Sequence, residues 1–364
     1  MHTMIGLRTD THSPSFNLAL EEALLEHLPH DSEGFFFLWR NAPSVIVGRH
    51  QNTLEEVNGQ YLRDHSIPVI RRETGGGAVY HDLGNINFSF MVNINAKTDT
   101  SFGVLLTPIA ETLREFGINA DISGRNDLLV NGKKFSGSAQ RKTDGKLLQH
   151  GTLMVFVDTE HISEILTGDP EKYRSKGIAS HKSRIMNLAD CIDLRVCSED
   201  VRKSFISAFG MLPNEEIKLL PAYKETVIDI MQETLLQRIA GSTEDIGQAV
   251  WDQAALLEKN KYASWDWNWG RSPAFSHNFG KRFPWGKVDC RLKVVKGHVR
   301  ECRIFGDFFS YRDIADLERE WVGLRHDRRE FAAKADSIHP EQWFVGASHE
   351  ETTDFFTQNI PSAD

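Results

Sequence analysis

Two tight-turn dipeptides limit what this chain can fold into more than any other feature. Asn131-Gly132 and Asp144-Gly145 separate three β-type runs within residues 125–157. Both dipeptides readily adopt the positive φ angles that two-residue hairpin turns require. The sequence therefore predicts a three-stranded antiparallel meander.

Helical and extended segments alternate around this meander. Residues 15–27 carry apolar side chains at helical spacing, and residues 35–39 and 44–47 are short β-type runs. Another helix is predicted between Ser198, which suits an N-cap and precedes two acidic residues, and Gly210. This mixture without repeating units indicates an α+β (mixed α/β) fold.

The composition changes toward the C-terminus, where seven of the eight tryptophans lie beyond residue 250. We interpret the run WDWNW, residues 265–269, as a strand with one aromatic face that is broken by Gly and Pro within residues 270–273. A hairpin is predicted over residues 288–305. These features predict a large domain over residues 1–270 and a small α+β domain over residues 274–364.

Charge and composition exclude several classes of protein. The 364 residues include 42 Lys+Arg and 51 Asp+Glu, a net charge of −9, which argues against nucleic acid or anionic membrane as a partner. We therefore expect an anionic ligand to be met by a local cluster of cations. No targeting segment or apolar run of membrane length is present, so a cytoplasmic location is expected, with the four cysteines as reduced thiols.

Three consecutive glycines follow a β-type run in the segment RRETGGGAVYHDLGN, residues 71–85. Glycine costs conformational entropy, so Gly75, Gly76 and Gly77 indicate backbone that must approach something closely. A plain glycine-rich turn is the alternative. In the functional interpretation, the loop holds a phosphate or carboxylate, and the Arg72 guanidinium supplies positive charge and two parallel hydrogen-bond donors. Neither Walker nor G-x-G-x-x-G spacing is present, so another nucleotide geometry is needed.

Two lysines follow the first turn of the meander, in the segment GRNDLLVNGKKFSGSA, residues 124–139. They could be plain solvated hairpin residues. Strand alternation nevertheless points Lys133 and Lys134 to opposite faces, so that one of them can reach a cleft. The spacings of a zinc site and of a serine-hydrolase elbow are absent. The remaining set suits stabilisation of negative charge on phosphate or acyl oxygens.

At these residues the sequence resembles the lipoate-protein ligase A family. The resemblance also includes FNLALEEALL (16–25), LWRNAPSVIVGRHQN (38–52), QHGTLMV (149–155), GIASHKSRIMNL (177–188), and WDWNWGRSPAFSH with RFPWGKVD (265–289). Only the tail after about Phe309 is weakly matched. The resemblance implies a catalytic domain of the biotin/lipoate ligase type, with mixed sheets flanked by helices, and a small accessory domain that swings.

The resemblance also implies a two-step reaction. Lipoate is joined to AMP from ATP, with magnesium and with release of pyrophosphate, and a lysine of an acceptor domain then takes the lipoyl group. The implied acceptors are 2-oxoacid dehydrogenase E2 subunits and glycine cleavage H protein, and we expect a monomer. Three alternatives stay open: a lipoyltransferase that uses preformed lipoyl-AMP, an octanoyltransferase of the same fold that uses a cysteine, and a lipoate-binding protein without turnover. A biotin ligase is disfavoured because triple glycine replaces its G-R-G-R-x-G loop.

The resemblance also implies roles for individual residues. Lys134 corresponds to the catalytic lysine that bridges the lipoyl carbonyl and the α-phosphate, Arg72 to a phosphate contact, and Asp127 to an acidic position near magnesium. The implied substrate and ATP contacts are Arg72, Thr74, Gly75, Gly76, Gly77, Ala78, Val79, Tyr80, His81, Asn85, Asp127, Ser138, Ala139, Arg141, His150, Gly177, Ser180 and Arg184. Candidates for an apolar lipoyl tunnel are Leu18, Leu20, Val45 and Val47, with core packing as the alternative.

Two positions depart from the family pattern, and one segment is assigned to a covering loop. Thr74 stands where serine is frequent, which keeps a hydroxyl. Glu73 stands where a basic residue also occurs, which argues against a phosphate contact there. Residues 177–184 resemble the adenylate-binding loop that orders over the intermediate and limits its hydrolysis, with Lys182 and Arg184 as its cations.

Overall fold

The computed structural model describes residues 4–30, 32, 34–124, 126–166, 185–243, 246–269 and 277–360. Its strands are β1 (Met4–Arg8), β2 (Phe35–Trp39), β3 (Ser44–Val47), β4 (Val69–Arg71), β5 (Val79–His81), β6 (Asn85–Asn93), β7 (Asp121–Ser123), β8 (Asp127–Val130), β9 (Lys133–Thr143), β10 (Lys146–Met154), β11 (Ala240–Thr243), β12 (His277–Phe283), β13 (Gly286–Val295) and β14 (His298–Gly306).

The helices are α1 (Pro14–Glu26), α2 (Thr53–Glu56), α3 (Gly59–Asp64), α4 (Phe102–Leu113), α5 (Ile162–Ile165), α6 (Glu199–Phe209), α7 (Asn214–Ile217), α8 (Tyr223–Ile239), α9 (Gln248–Leu257), α10 (Trp265–Asn268), α11 (Ile314–Trp321), α12 (Arg328–Ile338) and α13 (His349–Gln358). Short helical turns cover Arg114–Phe116, Leu188–Cys191, Glu258–Tyr262 and Pro340–Trp343. None of these described helices is long and apolar enough to cross a bilayer.

Three sheets organise these elements. The largest has eight strands in the order β11-β1-β2-β6-β10-β9-β8-β7, with β1 parallel to both of its neighbours and the other pairs antiparallel. A small mixed sheet, β4-β3-β5, carries the glycine-rich segment between β4 and β5. The third, β12-β13-β14, is antiparallel. The α+β prediction is therefore confirmed.

The meander is confirmed, because β8, β9 and β10 pair antiparallel in sequence order. Both turns have left-handed backbone, with φ of 51° at Asn131 and 47° at Asp144. A bulge interrupts the pairing of β8 with β9, and Phe135 is the extra residue. The bulge buries the Phe135 ring in the core of the large sheet directly after the two lysines.

The predicted strand over residues 265–269 is wrong, because Trp265–Asn268 forms the short helix α10. The Ser264 hydroxyl accepts a hydrogen bond from the Trp267 amide, which is an N-cap. The Trp267 indole then donates to the Arg71 carbonyl at 2.8 Å, while Trp265 stays exposed. The capping serine and this long-range contact decide the conformation against the alternating pattern.

Four hydrophobic clusters stabilise the described part of the chain. One consists of residues between Phe279 and Ile360 only, so the C-terminal region has its own core. The tunnel candidates lie fully buried in two other clusters: Leu18 and Leu20 pack with α1 and β2, and Val45 and Val47 pack in the small sheet. Core packing thus describes their surroundings in this structure, and a place in a lipoyl tunnel stays a prediction.

Candidate active site around the glycine loop

The glycine loop, residues 75–77, lies between β4 and β5 and is closely approached by protein backbone. A Cβ atom on Gly75 would overlap the Phe308 carbonyl oxygen, and one on Gly48 would overlap the Gly76 carbonyl oxygen. Gly76 has a φ of +92°, which L side chains rarely adopt. Gly75 therefore serves close approach by a carbonyl, and Gly76 is required by its backbone conformation.

Arg72 holds the glycine loop in shape. Its buried guanidinium donates to the Gly75 and Gly77 carbonyls at 2.7 and 2.9 Å, and also to the Ile46 carbonyl and the Thr74 hydroxyl. Burial is the main reason that its pKa falls to about 10. Four donor contacts are thus directed at protein acceptors, and the phosphate contact implied for Arg72 stays a prediction.

Alanine at Gly76 is expected to destabilise both the loop and its ligand complex. Its Cβ would lie 2.9 Å from Arg72 Nη2 in addition to the strained φ, so we expect a loss of about 1–3 kcal/mol in unfolding free energy and weaker lipoate binding. Gly297→Ala is the matched control, because Gly297 has a φ of +74° with nothing within 4 Å of its Cβ. Urea unfolding measures the change in stability, and titration with lipoate measures the change in binding. Equal effects of Gly76→Ala and Gly297→Ala on both quantities would contradict the contact assigned between Gly76 and Arg72.

Behind the loop, a chain of buried hydrogen bonds reaches α1. The Thr74 hydroxyl lies 2.7 Å from His150 Nε2, and His150 Nδ1 lies 2.9 Å from Glu21 Oε1. Glu21 was not predicted as a site residue from the sequence, although Asn17 and Glu21 are polar residues one helical turn apart that both lie buried. His150 is thereby oriented toward the loop, next to Ala139 across the β9–β10 pair.

Several buried polar atoms near these hydrogen bonds have no hydrogen-bond partner among the described residues. They are His81 Nε2, Asn87 Nδ2 and Ser138 Oγ. Burial, with the charge of Arg72 and a further contribution from His150, lowers the pKa of His81 to about 3, so its imidazole is neutral. An unpaired buried polar group costs free energy, so a polar ligand or an ordered water that paired with these atoms would be stabilised.

The remaining predicted contacts of this segment lie on β5 and β6. Ala78, Val79 and Tyr80 are half-buried, and Tyr80 pairs with Val45 in the small sheet. Burial raises the pKa of the Tyr80 hydroxyl to about 12, so it remains protonated. Asn85 is buried, and its side-chain amide donates to Asn87 Oδ1 at 2.9 Å.

Among the described residues of the site, Lys134 is an accessible cation. Its ammonium lies 2.8 Å from Asp127 Oδ1, and the two side chains are 41% and 32% exposed. Gly137 makes this reach possible, because a Cβ there would lie 3.0 Å from Lys134 Nζ. Lys133 is exposed, in agreement with the predicted alternation.

The chain returns to Lys134 after the segment assigned to the covering loop. Ile185 forms a parallel bridge with Lys134, and the Met186 amide donates to the Lys134 carbonyl at 3.0 Å. The predicted contacts Gly177, Ser180 and Arg184 lie outside the described residues. The described chain that follows them is therefore anchored on the strand that carries the lysine.

A second charge network surrounds Glu73, whose carboxylate is buried. It forms ion pairs with Arg49, Arg141 and Lys261. Burial alone would raise the pKa of this carboxyl, but the three cations outweigh it and hold the pKa below its ordinary value. Lys261 also pairs with Glu22 at 2.7 Å. The sequence did not reveal Arg49 or Lys261, because their partners are distant along the chain.

The C-terminal region covers the glycine loop. The Gly76 amide donates to the Phe308 carbonyl at 3.4 Å, and His50 Nε2 lies 3.0 Å from Ser310 Oγ. Arg49, held by Glu73, also reaches Asp313 at 3.0 Å. The C-terminal region thus rests on the backbone donors that the sequence assigns to a ligand.

Comparisons with protein families and curated proteins show which proteins this chain is similar to. Residues 13–210 match the model of the lipoyl protein ligase A/B catalytic domain, and residues 272–356 match that of the bacterial lipoate protein ligase C-terminus. Lipoate-protein ligase LplJ of Bacillus subtilis is 36% identical over 94% of this chain and 96% of its own length. Lipoate–protein ligase 1 of Staphylococcus aureus is 37% identical over 86% of this chain and 88% of its own length.

Solved structures give the same result. P. falciparum LipL1 in complex with lipoate is 25% identical, with a TM-score of 0.68 over 97% of this chain and 99% of that chain. A lipoate-protein ligase A bound with ATP is 26% identical, with a TM-score of 0.54 over 74% of this chain and 99% of that chain. Since the family models and the curated relatives together extend over most of its length, the chain is an enzyme that belongs to the lipoate-protein ligase A family.

Proposed function

We propose that the enzyme is an ATP-dependent lipoate-protein ligase that forms lipoyl-AMP, releases pyrophosphate and then transfers the lipoyl group to a lysine of an acceptor domain. The observation that carries this proposal is which of the described cations are already bound by protein groups and which one is accessible. Arg72 and Arg141 are engaged by protein acceptors, whereas Lys134 is accessible and paired with one half-exposed carboxylate. Of these three described cations, Lys134 is therefore the one that can meet charge developing on a substrate.

In the first step, a carboxylate oxygen of lipoate attacks the α-phosphorus of ATP. A new oxygen–phosphorus bond forms, the bond to the leaving pyrophosphate breaks, and negative charge grows on the phosphoryl oxygens. The Lys134 ammonium stabilises this charge without being deprotonated. The neutral His81 imidazole and the unpaired Ser138 hydroxyl offer polar contacts to the same ligand.

In the second step, the neutral amine of an acceptor lysine attacks the acyl carbon of the mixed anhydride. The carbonyl oxygen becomes an oxyanion, the nitrogen releases one proton to solvent, and collapse of the oxyanion breaks the bond to AMP and leaves an amide. Lys134, placed between acyl and phosphate oxygens, stabilises both the oxyanion and the leaving phosphate. One lysine can thus serve both steps.

Asp127 fits a magnesium site of the kind used with nucleotides. Mg²⁺ binds through one or two carboxylates and the phosphates of its substrate, and Asp127 is a half-exposed carboxylate beside the accessible lysine. When bound, the ion would neutralise phosphate charge. The ligand chemistry of Asp127 therefore agrees with magnesium ATP as the substrate.

We assign lipoyl domains as the acceptors, with 2-oxoacid dehydrogenase E2 subunits and glycine cleavage H protein as the specific partners, and the cytoplasm as the location. An archaeal bi-partite lipoate protein ligase from Thermoplasma acidophilum, 26% identical with a TM-score of 0.57, was solved in a study of that ligase and its E2 lipoyl domain. The similarity to this archaeal ligase supports the class of acceptor. We also assign a monomer as the active form.

The octanoyltransferase alternative requires a cysteine thiolate as nucleophile. Burial raises the pKa of the Cys197 thiol to about 11, and burial also raises the pKa values of Cys191 and Cys290. Cys290 and Cys302 lie in the C-terminal sheet. Cys197, Cys290 and Cys302 are buried, and at the partly exposed Cys191 burial and Asp190 outweigh the nearby Lys133 and raise the pKa, which favours the ligase.

Pyrophosphate release tests the proposal. Purified enzyme mixed with lipoate and magnesium ATP is expected to release one pyrophosphate per lipoyl-AMP formed, before any acceptor is added. A coupled pyrophosphate assay with mass spectrometry of the adenylate measures this. No pyrophosphate at saturating substrates, together with transfer from preformed lipoyl-AMP, would show a lipoyltransferase instead.

A further inference from the structure

Three side chains with metal-binding atoms converge at one end of the C-terminal region. His339 ends α12, Glu341 lies in the turn Pro340–Trp343, and His349 is the first residue of α13. In the part of the chain that the structure describes, they are the group of three whose ligand atoms all lie within 4.8 Å of one another. The group is separate from Asp127 and from the glycine loop.

Two of the three spacings in this group are close to those around a single tetrahedral ion, with the two histidines on different oxygens of Glu341 and all ligand atoms within 4.8 Å of one another. His339 Nδ1 lies 3.4 Å from Glu341 Oε1, and His349 Nδ1 lies 3.0 Å from Glu341 Oε2. Zinc binds imidazole nitrogen and carboxylate oxygen at about 2.0–2.2 Å, so two ligands at the tetrahedral angle are about 3.4 Å apart. An ion can therefore enter with small side-chain movements.

His349 lies between the carboxylates of Glu341 and Asp336, and of these two contacts only the one with Glu341, at 3.0 Å, is within hydrogen-bond distance. Its Nδ1 faces Glu341, and its Nε2 lies 3.8 Å from Asp336 Oδ1. A neutral imidazole carries one N–H, so it can donate to only one of two carboxylates. A metal ion on Nδ1 would satisfy Glu341 and leave Nε2–H for Asp336, which is the carboxylate–histidine–metal arrangement of protein metal sites.

The backbone around the group aims its first ligand. His339 has left-handed backbone, with φ of 56° and ψ of 69°, at a position where helices usually end on glycine. This conformation turns the chain from α12 into Pro340–Trp343 and brings His339 to within 5.2 Å of His349, measured between ring centroids. Both histidines are exposed, so an ion can reach them from solvent.

We propose that His339, Glu341 and His349 bind one first-row transition-metal ion, of which Zn²⁺ is the best match to two imidazoles and a carboxylate. Water completes the fourth position, and Asp336 orients His349. The ion joins the end of α12 to the start of α13. It also fixes the turn whose Trp343 indole donates to the Asp313 carbonyl at 3.1 Å, next to the segment that covers the glycine loop.

Zinc titration of the full chain tests the site. The protein is freed of metal with a chelator, and Zn²⁺ alone is added in competition with a chromophoric zinc indicator. We expect one saturable zinc per chain, insensitive to millimolar Mg²⁺, and a zinc-dependent rise in melting temperature. His339→Asn, Glu341→Gln and His349→Gln should each weaken this binding by more than about tenfold.

His161→Gln is the matched control, because His161 and Glu164 form an exposed pair at 3.3 Å that belongs to no group of three ligands among the described residues. It should leave zinc affinity and stoichiometry unchanged. Thermal melts of metal-free variants show that each is folded before titration. Equal zinc binding by the wild type and all three ligand variants would overturn the proposal, as would the absence of saturable binding to the wild type.

Discussion

Replacing Lys134 with alanine is expected to eliminate both lipoyl-AMP formation and lipoyl transfer while leaving the fold intact. The substitution removes the cation that, among the described residues of the site, is accessible to a substrate in both steps, so each rate should fall by more than about a hundredfold. The lost ion pair with Asp127 is half-exposed and contributes at most about 1 kcal/mol to stability. Single-turnover assays with ATP and with preformed lipoyl-AMP measure the two steps separately.

Lys133→Ala provides the control for this experiment. Lys133 neighbours Lys134 on β9 but is exposed on the opposite face, so its removal changes the net charge equally. Near-normal rates in this variant, together with the loss in Lys134→Ala, would locate the effect in one side chain. Retained adenylation by Lys134→Ala would refute the assigned role.

Replacing Glu73 with glutamine should cause the largest loss of stability among the substitutions considered. Three cations converge on this buried carboxylate, and its isosteric replacement leaves them to repel one another. Removing one partner from a buried ion pair typically costs about 3–5 kcal/mol. Urea unfolding at neutral pH measures the change in unfolding free energy.

Acidic pH should reduce the difference in unfolding free energy between the wild type and Glu73→Gln. The folded-state pKa of Glu73 is lowered, so its stabilisation is fully present above the unfolded pKa of about 4.3 and is lost as pH falls through the lower folded value. Glu301→Gln is the control, since Glu301 pairs with Lys293 at 2.7 Å on a half-exposed sheet face and should lose at most about 1 kcal/mol. Similar losses in the two variants at neutral pH would contradict the network.

The parts of the fold predicted from sequence were those that local chemistry specifies. Asn131 and Asp144 adopt left-handed backbone where the dipeptides predicted it, and Ser198 caps α6 through the Val201 amide. The helix over residues 15–27 corresponds to Pro14–Glu26. In contrast, the alternating tryptophans of residues 265–269 lie in a helix, because a local serine cap and the distant Arg71 carbonyl outweigh the alternation.

The candidate site divides in the same way. The glycine loop and Lys134 could be identified because their residue types are unusual in their local setting. The partners that hold them could not, since Glu21 lies 129 positions from His150 and Lys261 lies 188 positions from Glu73. A buried ion pair leaves no periodic pattern along the chain.

By itself, the sequence determined the meander, the need for close backbone approach at the glycines and the opposite directions of the two lysines, because turn propensity, Cβ sterics and strand alternation act over a few residues. Only the tertiary structure decided which of the described site cations are already bound by protein groups and which is accessible to a substrate. Packing pairs Arg141 with Glu73, brings Phe308 onto the glycine loop and gathers His339, Glu341 and His349 into one group. Charges act through space, so their partners are set by the folded distances between them and not by their separation along the chain.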